Sequence, residues 1–197
     1  MLLTRELQHR TKNLLSVMQS MVRQSLSGTA SLDEARETLT GRLHTLANAN
    51  ALLTQTNRYG ATLADVIDRE LAGFKERAAI EGPSIMLSPG ATQGFALVIH
   101  ELFTNAVKYG ALSTLSGKIE ICWSVEESAN KPSLTFRWLE RSGPTVVPPR
   151  HTSFGTTLLK VAVSGADGTP RIEYPAEGVR YTLKVWLSSI TEAMQED

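Results

Sequence analysis

The stretch from Ala96 to Ser113 (Ala-Leu-Val-Ile-His-Glu-Leu-Phe-Thr-Asn-Ala-Val-Lys-Tyr-Gly-Ala-Leu-Ser) limits the fold most, because it joins a long helical pattern to polar residues that packing does not require. At 3.6 residues per turn, Val98, Ile99, Leu102 and Ala106 line up as one apolar stripe, while Glu101, Asn105 and Lys108 recur at i, i+4 and i+7 on a neighbouring flank. One flank thus carries a carboxylate, an amide oxygen and an ammonium. These groups can orient a water or hydroxyl, complete a Mg²⁺ shell and offset phosphate charge, so the helix reads as the floor of a nucleotide site. The same spacing also occurs on solvated helix flanks that bind nothing, and the rest of the chain has to decide.

The 197 residues are 42% hydrophobic, enough for one large domain or two small ones with a real core. Twenty basic and twenty acidic residues cancel, and no basic run builds the field used for DNA or RNA, so nucleic acid is not expected as a partner. The single cysteine, Cys122, excludes an intramolecular disulfide framework and suits a reducing compartment; its simplest role is a small hydrophobe in a strand. No signal segment and no apolar run of membrane-spanning length is present, and the expectation is a cytoplasmic chain.

In chain order, Thr4 to Ser27 reads as a helix with Leu7, Leu14 and Met21 at heptad spacing and Leu3, Met18 and Val22 widening the stripe. The pattern breaks over Gln8 to Asn13. His9 falls about 200° round the helix from Leu7 and should be exposed. Ser31-Leu32-Asp33-Glu34 has the form of a capping box, opening a second helix with Leu32, Leu39, Leu46 and Leu53 in heptads and Leu43 between them, to about Thr56. His44 lies on it without a partner motif. Two such helices make an antiparallel hairpin whose stripes are too broad to bury alone; this predicts a homodimeric four-helix bundle or a domain folded back as cover.

Asn57 to Gly60 marks the boundary between a hairpin over residues 1–60 and a second unit over 61–197. Thr62 can cap a helix over Leu63 to Ala79, Ser84 to Ser88 can form a short strand, and Pro89-Gly90 leads into the central helix, which Gly110 and Ser113 to Gly117 end. Lys118 to Glu126 and Ser133 to Leu139 read as an antiparallel pair holding Trp123 and Trp138. A Pro- and Gly-containing segment, Arg141 to Gly155, precedes a helix over Thr156 to Ser164, strands near Pro170 to Tyr174 and Val179 to Leu187 (with Trp186), and a frayed tail after Ser188. Phe95 and Phe103 are core candidates.

The order of these features resembles the HWE family of bacterial sensor histidine kinases, named for a histidine in the N box and a Trp-x-Glu in the next nucleotide motif. Those residues are His100, Trp138 and Glu140 here. The phosphoacceptor signature His-Arg-x-Lys-Asn is matched by His9-Arg10-Thr11-Lys12-Asn13, and the N box by His100 to Ser113. The likeness runs over almost the whole chain.

The resemblance implies an α+β chain: an N-terminal helical hairpin for dimerisation and histidine phosphotransfer, then a Bergerat-type α/β sandwich that binds ATP. In that scheme His9, as neutral imidazole, attacks the γ-phosphate of ATP and passes the phosphoryl group to an aspartate of a response regulator receiver domain. Glu101 is the second catalytic candidate. Asn105 would complete the Mg²⁺ shell, Lys108 and Tyr109 would face the nucleotide, and Glu140 would accept from the adenine amino group. Gly143, Phe154 and Gly155 fall in the glycine motifs. Pro148 to Phe154, which includes His151, is where a lid would lie.

Two departures stand out. Arg141-Ser142-Gly143-Pro144 and Ser153-Phe154-Gly155 replace the family's usual Gly-Gly-Pro and Gly-Phe-Gly, and a serine at a position of positive φ would be strained. Arg10 follows the acceptor where many other histidine kinases have an acid, which leaves Glu6, one turn earlier, as a candidate base. With Met1 eight residues before His9, the expectation is either an excised or stand-alone output module or a chain that receives its signal from another protein. The alternatives are a phosphorelay carrier with a degenerate ATP-binding-like domain, or an ATPase of the same fold without phosphohistidine chemistry.

Overall fold

The computed structural model describes residues 61–127, 131–148 and 170–191, together with residues 22, 31–33, 36, 37, 39–41, 43, 44 and 47. All of those single positions are helical except Ser31, in keeping with the first expected helix at Val22 and the second at the others. Leu32 and Leu43 on the second are 78% and 37% exposed, so part of the apolar stripe is open among the described residues. His9 and the turn of the expected hairpin lie outside the described residues, as does the helix expected over residues 156–164.

A five-stranded sheet forms the centre. Its strands are β2 (Ala78–Glu81), β4 (Lys118–Glu126), β5 (Ser133–Arg141), β6 (Arg171–Glu173) and β7 (Arg180–Trp186), in the order β2-β4-β5-β7-β6. Among the described strands only β2 against β4 is parallel. A separate two-stranded ribbon joins β1 (Ala61–Thr62) to β3 (Met86–Leu87). Side chains alternate along each strand, so one face collects Ile119, Ile121, Trp123, Leu134, Phe136, Trp138, Tyr181, Leu183 and Val185, all buried. The other face shows Lys118, Ser124, Arg137 and Lys184 to solvent.

Helix α1 (Leu63–Glu70) and helix α2 (Pro89–Lys108) cover the apolar face. Thr62 caps α1 in a reciprocal box with Asp65, which satisfies two orphan donors. Ser88 caps α2, with Pro89 in the first turn where its missing N–H costs nothing. Val98, Ile99, Leu102 and Ala106 are buried as the stripe predicts, and Phe95 meets Phe136 edge-on at 5.8 Å. Each such large side chain contributes about 1.5–3 kcal/mol by burial, and Phe136→Ala, which also leaves a cavity, would cost about 3–5 kcal/mol, a large share of a small domain's stability.

Three expectations are corrected. The helix after Thr62 ends at Glu70 instead of Ala79, because the chain turns through Phe74, makes a single 3₁₀ turn over Lys75–Arg77 and then pairs as β2 beside β4. The strand over Ser84 to Ser88 shrinks to Met86–Leu87, since Ser88 is taken as the cap of α2. The segment after Ser188 is not frayed as far as Thr191. Helix α3 (Leu187–Ile190) buries Ile190, whose carbonyl accepts the Ser88 N–H at 2.7 Å.

Candidate nucleotide site

The site begins at the end of β5. Leu134, Phe136, Trp138 and Glu140 occupy successive inward positions, so a row of core side chains ends in a carboxylate. Glu140 is only 5% exposed. Its Oε2 accepts the Ala111 N–H at 2.8 Å, and the Trp138 indole N–H points to Oε1 at 3.4 Å. Burial raises the Glu140 carboxyl above the usual glutamate range, and the two hydrogen bonds pull partly against that rise. The nearby backbone is tightly fitted: a side chain at Gly110 would overlap the Glu140 carboxylate, and a Cβ on Gly143 would lie 2.6 Å from the Ala111 Cα.

Helix α2 leads into this corner. Asn105 and Lys108 are exposed, and Tyr109, which caps the helix, is 69% exposed. The expected flank is therefore split, because Glu101 is 5% exposed and belongs with the buried side. The Gly110 N–H donates to the carbonyls of Asn105 and Ala106 and closes the helix, after which Ala111–Ser113 makes a 3₁₀ turn. His100 lies on the same helix. Its Nδ1 is 3.0 Å from Glu70 Oε2 on α1, and Gly41 of the hairpin helix sits beside its Nε2.

Ser142 has φ of +57°, the left-handed region where glycine sits without strain. Its carbonyl accepts from the hydroxyls of Thr114 and Ser116, each at 3.3 Å. The first departure from the glycine pattern is thus a true backbone requirement, while Gly143 is required by its closeness to Ala111.

The fold brings Glu140, Gly143 and the end of α2 together. His9, Glu6, His151, Ser153, Phe154 and Gly155 lie outside the described residues. The sequence reading missed three parts of the site: the Ala111 amide, the His100–Glu70 pair and Arg77, whose guanidinium binds the loop after α2. Gly110 and Gly117, bracketing that loop, were the available signal. Trp138 packs fully buried beside Glu140, whereas Trp123 is spent on the core edge, donating to the Pro83 carbonyl at 2.7 Å. Cys122 is half-buried in β4 with no disulfide. No described helix is long and apolar enough to cross a membrane.

Comparison with known proteins agrees with this geometry. Residues 6–84 match the sequence model of the HWE histidine kinase family. Blue-light-activated histidine kinases of Brucella ovis and Brucella anthropi are each 34% identical, over 90% and 83% of this chain and 37% and 34% of their own length. The chain thus spans about a third of the curated relatives it matches. The histidine kinase domain of the Erythrobacter litoralis EL346 blue-light activated histidine kinase superposes with a TM-score of 0.63 at 14% identity, covering 89% of this chain and 84% of that one. The longer EL346 protein gives 0.67 at 17% identity, covering 93% of this chain and 58% of that one. The helix-covered sheet is therefore that of histidine kinase catalytic domains, and the chain belongs to the HWE histidine kinase family.

Proposed function

We propose that this chain is the catalytic core of a two-component histidine kinase, in which residues 61–197 bind Mg-ATP and a hairpin over residues 1–60 carries the acceptor His9. The observation that carries the reading is the Glu140 carboxylate. It is fixed by the Ala111 N–H and the Trp138 indole at the end of a core row, beside a helix that exposes Asn105 and Lys108. An ionised carboxylate has about four acceptor positions, so Glu140 keeps capacity for the exocyclic amine of adenine.

Asn105 suits Mg²⁺, which takes one or two protein oxygens and completes its shell from phosphates and water. The described residues hold no cluster of three His, Cys, Asp or Glu that would suggest a dedicated cage. When bound, the ion would neutralise charge on the triphosphate. Lys108 adds a positive charge, Tyr109 an exposed ring at the end of the helix, and Gly143 lets the backbone approach. Glu101 keeps its place as the second catalytic candidate from the motif alone, and its side chain is buried. The His9 imidazole nitrogen forms a bond to the γ-phosphorus, the bond to the ADP oxygen breaks with its electron pair leaving on ADP, and the imidazole gives its proton to a base, for which Glu6 is the candidate. The phosphoryl group then moves to a response regulator aspartate. Exposed Leu32 and Leu43 support pairing of two hairpins, and a sensor domain or a sensor protein would supply the signal.

Incubation with γ-labelled ATP and Mg²⁺ tests the reading: acid-labile label appears on the wild type and is lost in His9→Ala, which still binds ATP. Label that persists in His9→Ala places the acceptor elsewhere. A second reading, a phosphorelay carrier that binds no ATP, draws on the strained Ser142, and a wild type without ATP binding at millimolar concentration would favour it.

A further inference from the structure

We propose that Arg77 is a positioning residue for the adenine end of the site, acting through Ala111 on Glu140; this rests on the nucleotide reading above. Arg77 ends the 3₁₀ turn before β2, and because β2 pairs parallel with β4 in the register Ala78 to Ile119, its side chain lies beside the loop that enters β4. Nε and Nη2 donate to the Gly117 carbonyl at 2.9 and 2.7 Å. Nη2 also reaches the carbonyls of Ala111, at 3.3 Å, and Thr114, and Nη1 reaches that of Leu112 at 3.4 Å. One guanidinium therefore gathers four carbonyls of a single loop.

Among the described residues no carboxylate pairs with Arg77. Its Cζ lies 5.9 Å from the centre of the Phe74 ring. A partly buried cation satisfied by backbone oxygens alone serves to hold that backbone in one shape, and the planar five-donor fork is what allows it.

The far side of the same loop faces the nucleotide motif. Ala111 accepts from Arg77 on its carbonyl and gives its N–H to Glu140, so one residue is gripped from both sides. Thr114 and Ser116 bind the Ser142 carbonyl, and Gly143 packs on Ala111. The loop is a wedge between Arg77 and residues 140–143. Without the fork the Ala111 amide would no longer aim at Oε2, and the lone pairs left for a base would turn with the carboxylate.

The test is the ratio of ATP to GTP affinity, measured by calorimetry with Mg²⁺ on the full chain. The wild type should prefer ATP. Arg77→Met should lose about tenfold in ATP affinity while GTP stays within about twofold, so the preference collapses; Arg77→Lys, which keeps charge and stem but no fork, should fall between. A merely structural role would weaken both nucleotides in proportion, and an unchanged ratio overturns the proposal. Should Arg77→Met fail to fold, Arg77→Lys carries the test, with faster hydrogen exchange at the Ala111 amide as a second expected result and unchanged exchange as the refuting one. A wild type that binds neither nucleotide overturns the kinase reading and this inference together.

Discussion

The two ends of the candidate site are built on opposite principles. At the Glu140 end the groups are held in place: a buried carboxylate bound by an amide and an indole, Gly110 fitted against it and Gly143 against Ala111, and a loop wedged by the partly buried Arg77. At the other end, Asn105, Lys108 and Tyr109 stand exposed on the last turns of α2. An adenine ring is the same in every turnover and rewards a preformed mould. In the proposed reaction, phosphates and metal would come and go, and the transferring phosphate would meet a histidine from another part of the chain, which rewards open, rearrangeable groups.

The largest effect should come from Glu140→Gln. It keeps the shape but replaces one acceptor oxygen with a donor, and ATP affinity should fall about thirtyfold to a hundredfold in calorimetry, as for loss of a hydrogen bond to a charged group of about 2–3 kcal/mol. Stability should move the other way. Burial holds the folded-state pKa of Glu140 above its unfolded value, so its contribution is fully favourable below about pH 4.3 and is lost as pH rises through the folded value. Glu140→Gln should thus melt above the wild type at pH 7 to 8, with the difference closing toward pH 4. A variant that loses both binding and stability at every pH would show that the carboxylate is structural, and the contrast between the two ends would fail.

Next in size are changes at the open end. Asn105→Ala should lower Mg²⁺-dependent ATP affinity about tenfold, and Lys108→Ala about threefold, since an exposed charge is screened. Neither should move Tm appreciably, because neither side chain is buried. A large Tm loss in either would mean that the flank is held as firmly as the Glu140 corner.

The smallest effect is expected for Ser142→Gly. Relief of the left-handed conformation should stabilise the fold by about 0.5–1 kcal/mol, with ATP affinity changed less than about threefold. Thermal melts and calorimetry of this single variant would sharpen where the rigid region ends. A tenfold gain in affinity would show that the serine had obstructed the nucleotide.

The parts legible in the sequence were those written in periodicity. The stripe of α2 and the alternation that puts Trp138 and Glu140 on one face follow directly from helix and strand geometry. The parts that were not legible depend on distant partners. Ala78-Ala79-Ile80-Glu81 carries helix-forming residues, and only the parallel register with β4 makes it a strand. Glu101 falls on the polar flank by angle, yet is buried. Arg77 sits in no motif, and its significance comes from carbonyls more than thirty positions away. Ser142 was flagged through the family's glycine, but its φ is a property of the turn and not of the residue.

The pairings of the described sheet differ in how much chain they must close. The β4–β5 hairpin closes over a few residues between Glu126 and Ser133, whereas β2 and β7 each join it across about forty residues of chain. Local closure is faster, so the sheet should nucleate at that hairpin and grow outward, with the row that ends in Glu140 formed early and Arg77, at the root of an edge strand, arriving late. During refolding the carboxylate would then be in place before the clamp that aims it, and competence to discriminate nucleotides would lag behind formation of the core.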